Sequence, residues 1–130
     1  MGKSSEIPEK LHIKVTEDTP EIYFSPDENK FIISHKSLPE DAIAFFHPVF
    51  TWLNNYIDKP NNENVFTFKL DYFSTSTAKQ LVKIFFLLEK LSEISKVTIK
   101  WYYQKEDTDM YASGLKYSKL IDLSFELIEF

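Results

Sequence analysis

Four consecutive hydroxyl residues, Ser74-Thr75-Ser76-Thr77, join a predicted strand to a predicted helix. One hydroxyl at such a junction serves as the helix N-cap, accepting a hydrogen bond from a backbone N–H two or three residues later. A single cap needs a single hydroxyl, so three side chains are left over. If Ser74 is the cap, Thr75 is the first helical residue and its hydroxyl can face solvent. The run therefore predicts either plain capping or a phosphorylation site, and a phosphate here would lie at the positive end of the helix.

Two neighbours of the hydroxyl run have alternative interpretations. Asp71 either lies beside the phosphorylation site, where its charge would oppose a phosphate, or is an exposed strand residue on the polar face. Tyr72 alternates with Phe66, Phe68 and Leu70, and this spacing predicts that it belongs to the core.

The remaining polar side chains form no recognisable catalytic or metal-binding pattern. His12, His35 and His47 have no partners at the spacing of a zinc motif, and no G-x-S-x-G nucleophile elbow is present. The acidic loop with Glu106, Asp107 and Asp109 is better explained as carboxylates near a helix start than as a Mg²⁺ site. We therefore expect no enzymatic activity, no metal and no cofactor.

Composition excludes several functions. The chain has 130 residues, a net charge of −5, only 2 Gly and no Cys, and all 15 basic residues are Lys. Two glycines cannot build a Rossmann fingerprint or a P-loop, and an acidic chain without Arg is poorly suited to nucleic acid. The apolar runs are too short to span a bilayer, and the absence of Cys fits a reducing compartment. We expect a cytoplasmic protein with no nucleic-acid or membrane partner, whose 21 aromatic residues mostly form a core.

Hydrophobic periodicity predicts the elements that position the hydroxyl run. Residues 1–9 read as a flexible lead-in and residues 10–130 as one domain. The capping-box sequence Ser37-Leu38-Pro39-Glu40 predicts a helix that begins near Ser37, which Pro48 should kink or split. The other elements are predicted as follows: strands at 11–15, 21–24, 30–34, 65–73, 97–103 and 121–130, and helices at 75–94 and 110–120. The order indicates an α/β fold, a mixed sheet backed by two long helices and one short one.

Five stretches of this sequence, taken together, resemble the SiaC family of bacterial regulatory phosphoproteins, whose fold is similar to the STAS domains of anti-sigma-factor antagonists. The stretches lie in family order and span nearly the whole chain from about residue 11: Thr19–Ile22, Ser37–Glu40, Phe46–Leu53, Phe68–Thr77 and Val97–Tyr103, the last followed by the acidic loop to Met110. This chain has Ser74 where the family usually has Asn, and both residue types cap helices.

The resemblance implies a STAS-like domain without catalytic activity that is phosphorylated on the residue aligned with Thr75. It implies three protein partners: a kinase of the histidine-kinase-like ATPase type, a PP2C-type phosphatase, and an effector bound in the unphosphorylated state, such as a diguanylate cyclase in biofilm regulation. Ser74, Ser76, Thr77 and Asp71 would form the surface around the modified residue. The alternative is a protein-binding module of the same fold that is not switched.

Overall fold

The computed structural model describes residues 9–130, so the predicted lead-in lies, except for Glu9, outside the described residues. The chain runs through six strands and three helices: β1 Leu11–Ile13, β2 Glu21–Ser25, β3 Lys30–Ser37, α1 Ala42–Tyr56, β4 Glu63–Phe73, α2 Thr75–Leu91, β5 Lys96–Tyr103, α3 Thr108–Leu120 and β6 Ser124–Glu129. The predicted order of elements is confirmed.

The strands form one mixed sheet in the order β1-β2-β3-β4-β5-β6. β1, β2 and β3 pair antiparallel, whereas β3 to β6 pair parallel through the crossover helices α1, α2 and α3. β2 and β3 form a hairpin. Parallel neighbours place the carboxyl ends of β3, β4 and β5 at one edge of the sheet, where α2 begins.

The helices all pack on one face of the sheet. Alternate strand residues point to this face and contact aromatic rings of each helix. One ring pair for each helix, with its centroid distance, is Trp52–Phe24 for α1 (5.1 Å), Phe85–Phe68 for α2 (5.1 Å) and Tyr117–Trp101 for α3 (5.5 Å). Most of the aromatic residues thus lie in the layer between sheet and helices, which agrees with the prediction that they mostly form a core.

The start of α1 differs from the prediction. Ser37 is not a helix cap: it is the last residue of β3 and pairs with Phe73 of β4. The cap is Asp41, whose Oδ1 accepts from the backbone N–H of Ala44 at 3.0 Å. The capping-box pattern competes here with strand pairing, and the longer β3–β4 ladder prevails because it satisfies more backbone groups.

Pro48 does not split α1, which runs as one helix from Ala42 to Tyr56. Proline removes the hydrogen bond that would reach the carbonyl of Ala44. Both Ala44 and Pro48 are exposed, so water can hydrate that carbonyl. The apolar face, which includes Phe46 and Val49, stays buried and holds the helix together across the missing bond.

A register shift in the β3–β4 ladder reverses the face of the last residues of β4. His35 pairs with Leu70 but Lys36 pairs with Tyr72, so Asp71 is an extra residue of β4 without a register partner in β3. After this bulge Tyr72 is 56% exposed, and Phe73 turns inward to contact the ring of Trp101 at 5.9 Å. The prediction that Tyr72 belongs to the core is therefore wrong, because simple alternation does not hold across a bulge.

Candidate functional site

The hydroxyl run lies where β4 ends and α2 begins, beside the end of β3. The backbone N–H of Ser74 donates to the carbonyl of Ser37 at 3.1 Å, so the ends of the two strands are tied together. This is the carboxyl edge of the parallel strands, the edge at which open α/β sheets usually meet ligands and partners.

Ser74 is the N-cap of α2, which is the case in which the sequence makes Thr75 the first helical residue. Its backbone is extended, with φ −77° and ψ 167°, and its Oγ accepts from the backbone N–H of Thr77 at 3.2 Å. The hydroxyls of Ser74 and Ser76 also lie 3.0 Å apart. The hydroxyl of Ser74 is therefore used to start the helix.

Thr77 is fully buried and belongs to the framework of the junction. Its Oγ1 lies 2.9 Å from the Oγ of Ser37, which is also fully buried, and it donates to the carbonyl of Ser37 at 3.3 Å. The Oγ of Ser74 donates to Thr77 Oγ1 at 3.2 Å. A buried hydroxyl with these bonds holds α2 against β3 and is not accessible to another protein.

Thr75 differs from the other three hydroxyl residues. It is the first residue of α2 and is exposed, and within residues 9–130 its hydroxyl makes no hydrogen bond. Ser76 is exposed too, but its hydroxyl is bonded to that of Ser74. The fold thus uses Ser74, Ser76 and Thr77 to build the junction and leaves the Thr75 hydroxyl free in solvent.

The structure brings Ser37 into the junction, which the sequence did not indicate. Its partner Thr77 is forty positions away, and the local sequence around Ser37 favours a helix start. No local signal identifies such a contact, because it depends on the pairing of β3 with β4.

Asp71 is exposed at the bulge and lines a shallow depression on the helix-free face of the sheet, together with Lys69 and His35. Its charge therefore projects from a different face of the sheet from the one that α2 covers.

The acidic loop before α3 has a structural role. Asp107 is the N-cap of α3, and its Oδ1 accepts from the backbone N–H of Met110 at 2.9 Å. Across residues 9–130, no group of three or more His, Asp or Glu side chains is placed to hold a metal ion. In the same part of the chain, no helix has the length and apolar character needed to cross a membrane.

The fold and the junction define the class: a small α/β domain with one helix-covered sheet face and an exposed hydroxyl at the first position of a helix. The chain belongs to the SiaC family, since the model of that family, described as SiaC family regulatory phosphoprotein, matches residues 13–130. The resemblance seen in the sequence is thereby confirmed.

Relatives in Pseudomonas aeruginosa agree with this assignment. Protein PA14_02130 of strain UCBPP-PA14 is 26% identical over 98 residues, which cover 75% of this chain and 78% of that protein. The structure of SiaC of Pseudomonas aeruginosa superposes with a TM-score of 0.84 at 21% identity, covering 94% of this chain and 99% of that one.

A second structure of the same relative shows it with a partner. There SiaC is in complex with the diguanylate cyclase SiaD, of which it is the activator. The TM-score is 0.86 at 21% identity, and the match covers 92% of this chain and 99% of that one. At this identity the likeness establishes a shared fold.

Proposed function

We propose that this chain is a cytoplasmic signalling adaptor without catalytic activity, switched by reversible phosphorylation of Thr75. The unphosphorylated form binds an effector protein, and the relative that activates the diguanylate cyclase SiaD makes a cyclase the favoured class of effector. A kinase of the histidine-kinase-like ATPase type adds the phosphate, and a PP2C-type phosphatase removes it.

The observation that carries this proposal is that the four hydroxyls differ in their hydrogen bonds and in their exposure. Ser74 and Thr77 bond within the fold, Ser76 bonds to Ser74, and Thr75 alone of the four is both exposed and unbonded. A kinase can reach the Thr75 hydroxyl without breaking the N-cap or opening the core. Membership of a family described as regulatory phosphoproteins agrees with a modification of this kind.

Phosphorylation at Thr75 would change the surface and preserve the fold. A phosphate carries about −1.5 to −2 charges at pH 7, and the N-terminus of a helix stabilises negative charge. The first turn of α2 contains no acidic residue to oppose it. The helix therefore survives, and an effector that docks beside α2 meets a bulky dianion in place of a hydroxyl group.

The test for the modification is phosphate incorporation by the cognate kinase into the wild type, Thr75→Ala and Ser76→Ala. We expect incorporation to be lost in Thr75→Ala and retained in Ser76→Ala, which removes the neighbouring exposed hydroxyl. Undiminished phosphorylation of Thr75→Ala would overturn the assignment. If protein from the native host carries no phosphate at Thr75 under any growth condition, the chain is a binding module that is not switched.

The test for effector release compares Thr75→Asp with Thr75→Asn, because the two side chains match in shape and differ in charge. We expect Thr75→Asp to bind the effector cyclase more weakly than Thr75→Asn, which should bind like the wild type. Asp carries one charge where phosphate carries nearly two, so its effect should be smaller than that of phosphorylation. Equal binding of both variants would argue against release by charge.

A further inference from the structure

Lys79 lies one helical turn beyond Thr75, and both residues are exposed. Residues four apart on an α-helix are neighbours on one face, with Cβ atoms about 5–6 Å apart. The order also matters: an anionic residue N-terminal to a Lys at this spacing is the more favourable arrangement. A phosphate on Thr75 would therefore lie within reach of the Lys79 ammonium.

No other charged side chain of α2 competes with Lys79 for a phosphate on Thr75. Within residues 9–130 no carboxylate lies within 4.0 Å of its ammonium. Lys83 is a further turn away, about 12 Å along the axis from Thr75, and Lys90 is more distant. The chain contains no Arg that could form a bidentate clamp on a phosphate.

Other charged groups that could interact with a phosphate on Thr75 lie on the neighbouring strands and loop. Lys36, near the end of β3, is half-buried and pairs in register with Tyr72. Asp71 on β4 is the nearest acidic residue in sequence, but it lines the helix-free face of the sheet. Lys105 and Glu106 follow β5 at the same edge of the sheet and carry opposite charges.

We propose that Lys79 is the intramolecular partner of phosphorylated Thr75, and that it holds the phosphate along the outer face of α2 as an ion pair. This inference rests on the proposed phosphorylation of Thr75. Its consequence is that one modification alters two surface groups: Thr75 gains a dianion, and Lys79 ceases to be a free cation. A docking partner that uses Lys79 in the unphosphorylated state would lose that contact as well.

The experiment places phosphothreonine at position 75 of the full chain by suppression of an amber codon, which needs no kinase. ³¹P NMR then follows the protonation of the phosphate between about pH 4 and pH 8, around its second pKa near 6. The ion pair favours the dianion, so the wild type should bind the proton about twofold more weakly than Lys79→Gln. Lys79→Arg, which keeps the charge, should titrate like the wild type.

Two further variants, Lys83→Gln and Lys36→Gln, test whether the effect is specific to Lys79. Lys83→Gln removes a cation from the same helix two turns from Thr75 and should titrate like the wild type. Coincident titrations of the wild type and Lys79→Gln would overturn the proposal, as would a shift confined to Lys36→Gln. Because the phosphate is installed during synthesis, this result is independent of whether a kinase modifies Thr75, which mass spectrometry of the native protein decides separately.

Discussion

The side-chain oxygens of Ser37 and Thr77 lie 2.9 Å apart although the residues are forty positions apart in the chain. Both side chains are fully buried, and the contact joins the end of β3 to the first turn of α2. The position of the exposed Thr75 hydroxyl therefore depends on a hydrogen bond that is formed only in the complete fold.

Removing one member of the Ser37–Thr77 pair should destabilise the protein. Thr77→Val deprives the buried Ser37 groups of their partner, and we expect it to lower the free energy of unfolding by about 1–3 kcal/mol. Ser37→Ala combined with Thr77→Val should cost less than the sum of the two single changes. Urea denaturation measures all three. Thr75→Val, at the exposed position, is the control, and its free energy of unfolding should stay within about 0.5 kcal/mol of the wild type. If the costs of Ser37→Ala and Thr77→Val are additive in the double variant, the pairing is contradicted.

The backbone at His35 should favour glycine. His35 has φ 77°, in the left-handed region, beside the register shift that turns Tyr72 outward. His35→Gly should raise the free energy of unfolding by about 1 kcal/mol, because glycine adopts positive φ without a steric penalty. Lys36→Gly, one residue later in ordinary strand conformation, should instead lower it by about 0.5–1 kcal/mol. Thermal unfolding of the two variants distinguishes these effects, and destabilisation by both would show that His35 is not strained.

Gly114 of α3 should resist substitution despite its low helix propensity. A Cβ at this position would lie 2.4 Å from Cδ1 of Trp101 and 2.6 Å from Cδ2 of Leu127. Propensity alone favours Gly114→Ala by about 1 kcal/mol, but overpacking of a core typically costs about 1–3 kcal/mol. We expect a net loss of stability in urea. Ala112→Gly, at an exposed position of the same helix, is the control that measures the effect of helix propensity without a change in packing. A Gly114→Ala variant that is more stable than the wild type would contradict the tight helix–sheet contact.

Stability should fall under alkaline conditions because of two tyrosines. Burial raises the pKa of Tyr56 and of Tyr117 above the ordinary value of 10.0. A phenol whose pKa is higher in the folded state stabilises the fold fully below pH 10, and this contribution is lost as the pH rises further. Urea denaturation at several pH values between about 8 and 11 measures how steeply the free energy of unfolding declines with pH. Tyr117→Phe should make the decline shallower, and an identical decline in that variant would remove Tyr117 from the explanation.

Local patterns were sufficient for the elements and for the start of α2. Alternation and helical spacing predict the order of strands and helices because each pattern lies within one element. A hydroxyl cap at the start of α2 was predicted for the same reason: an N-cap bond spans only three residues, and the structure assigns this cap to Ser74. Asp107 in the acidic loop likewise caps the helix that follows it.

Predictions failed where two distant segments meet. The sequence around Ser37 matches a capping box, yet pairing with β4 keeps it in a strand and Asp41 caps α1. Tyr72 follows the alternation of the core residues before it, yet the register shift at Asp71 places it in solvent. A one-residue shift in a ladder changes the face of every residue after it, and the local sequence of β4 alone does not reveal it.

By itself, then, the sequence determined the fold class, the family and the four adjacent hydroxyls, since periodicity, motif order and capping are local properties of the chain. Only the tertiary structure decided which hydroxyl is free. Thr77 is buried because β3 supplies Ser37 as its partner, and Ser76 is bonded to the capping Ser74. Thr75 stays exposed because the helical turn directs it away from the sheet, and this division requires β3, β4 and α2 to be packed together.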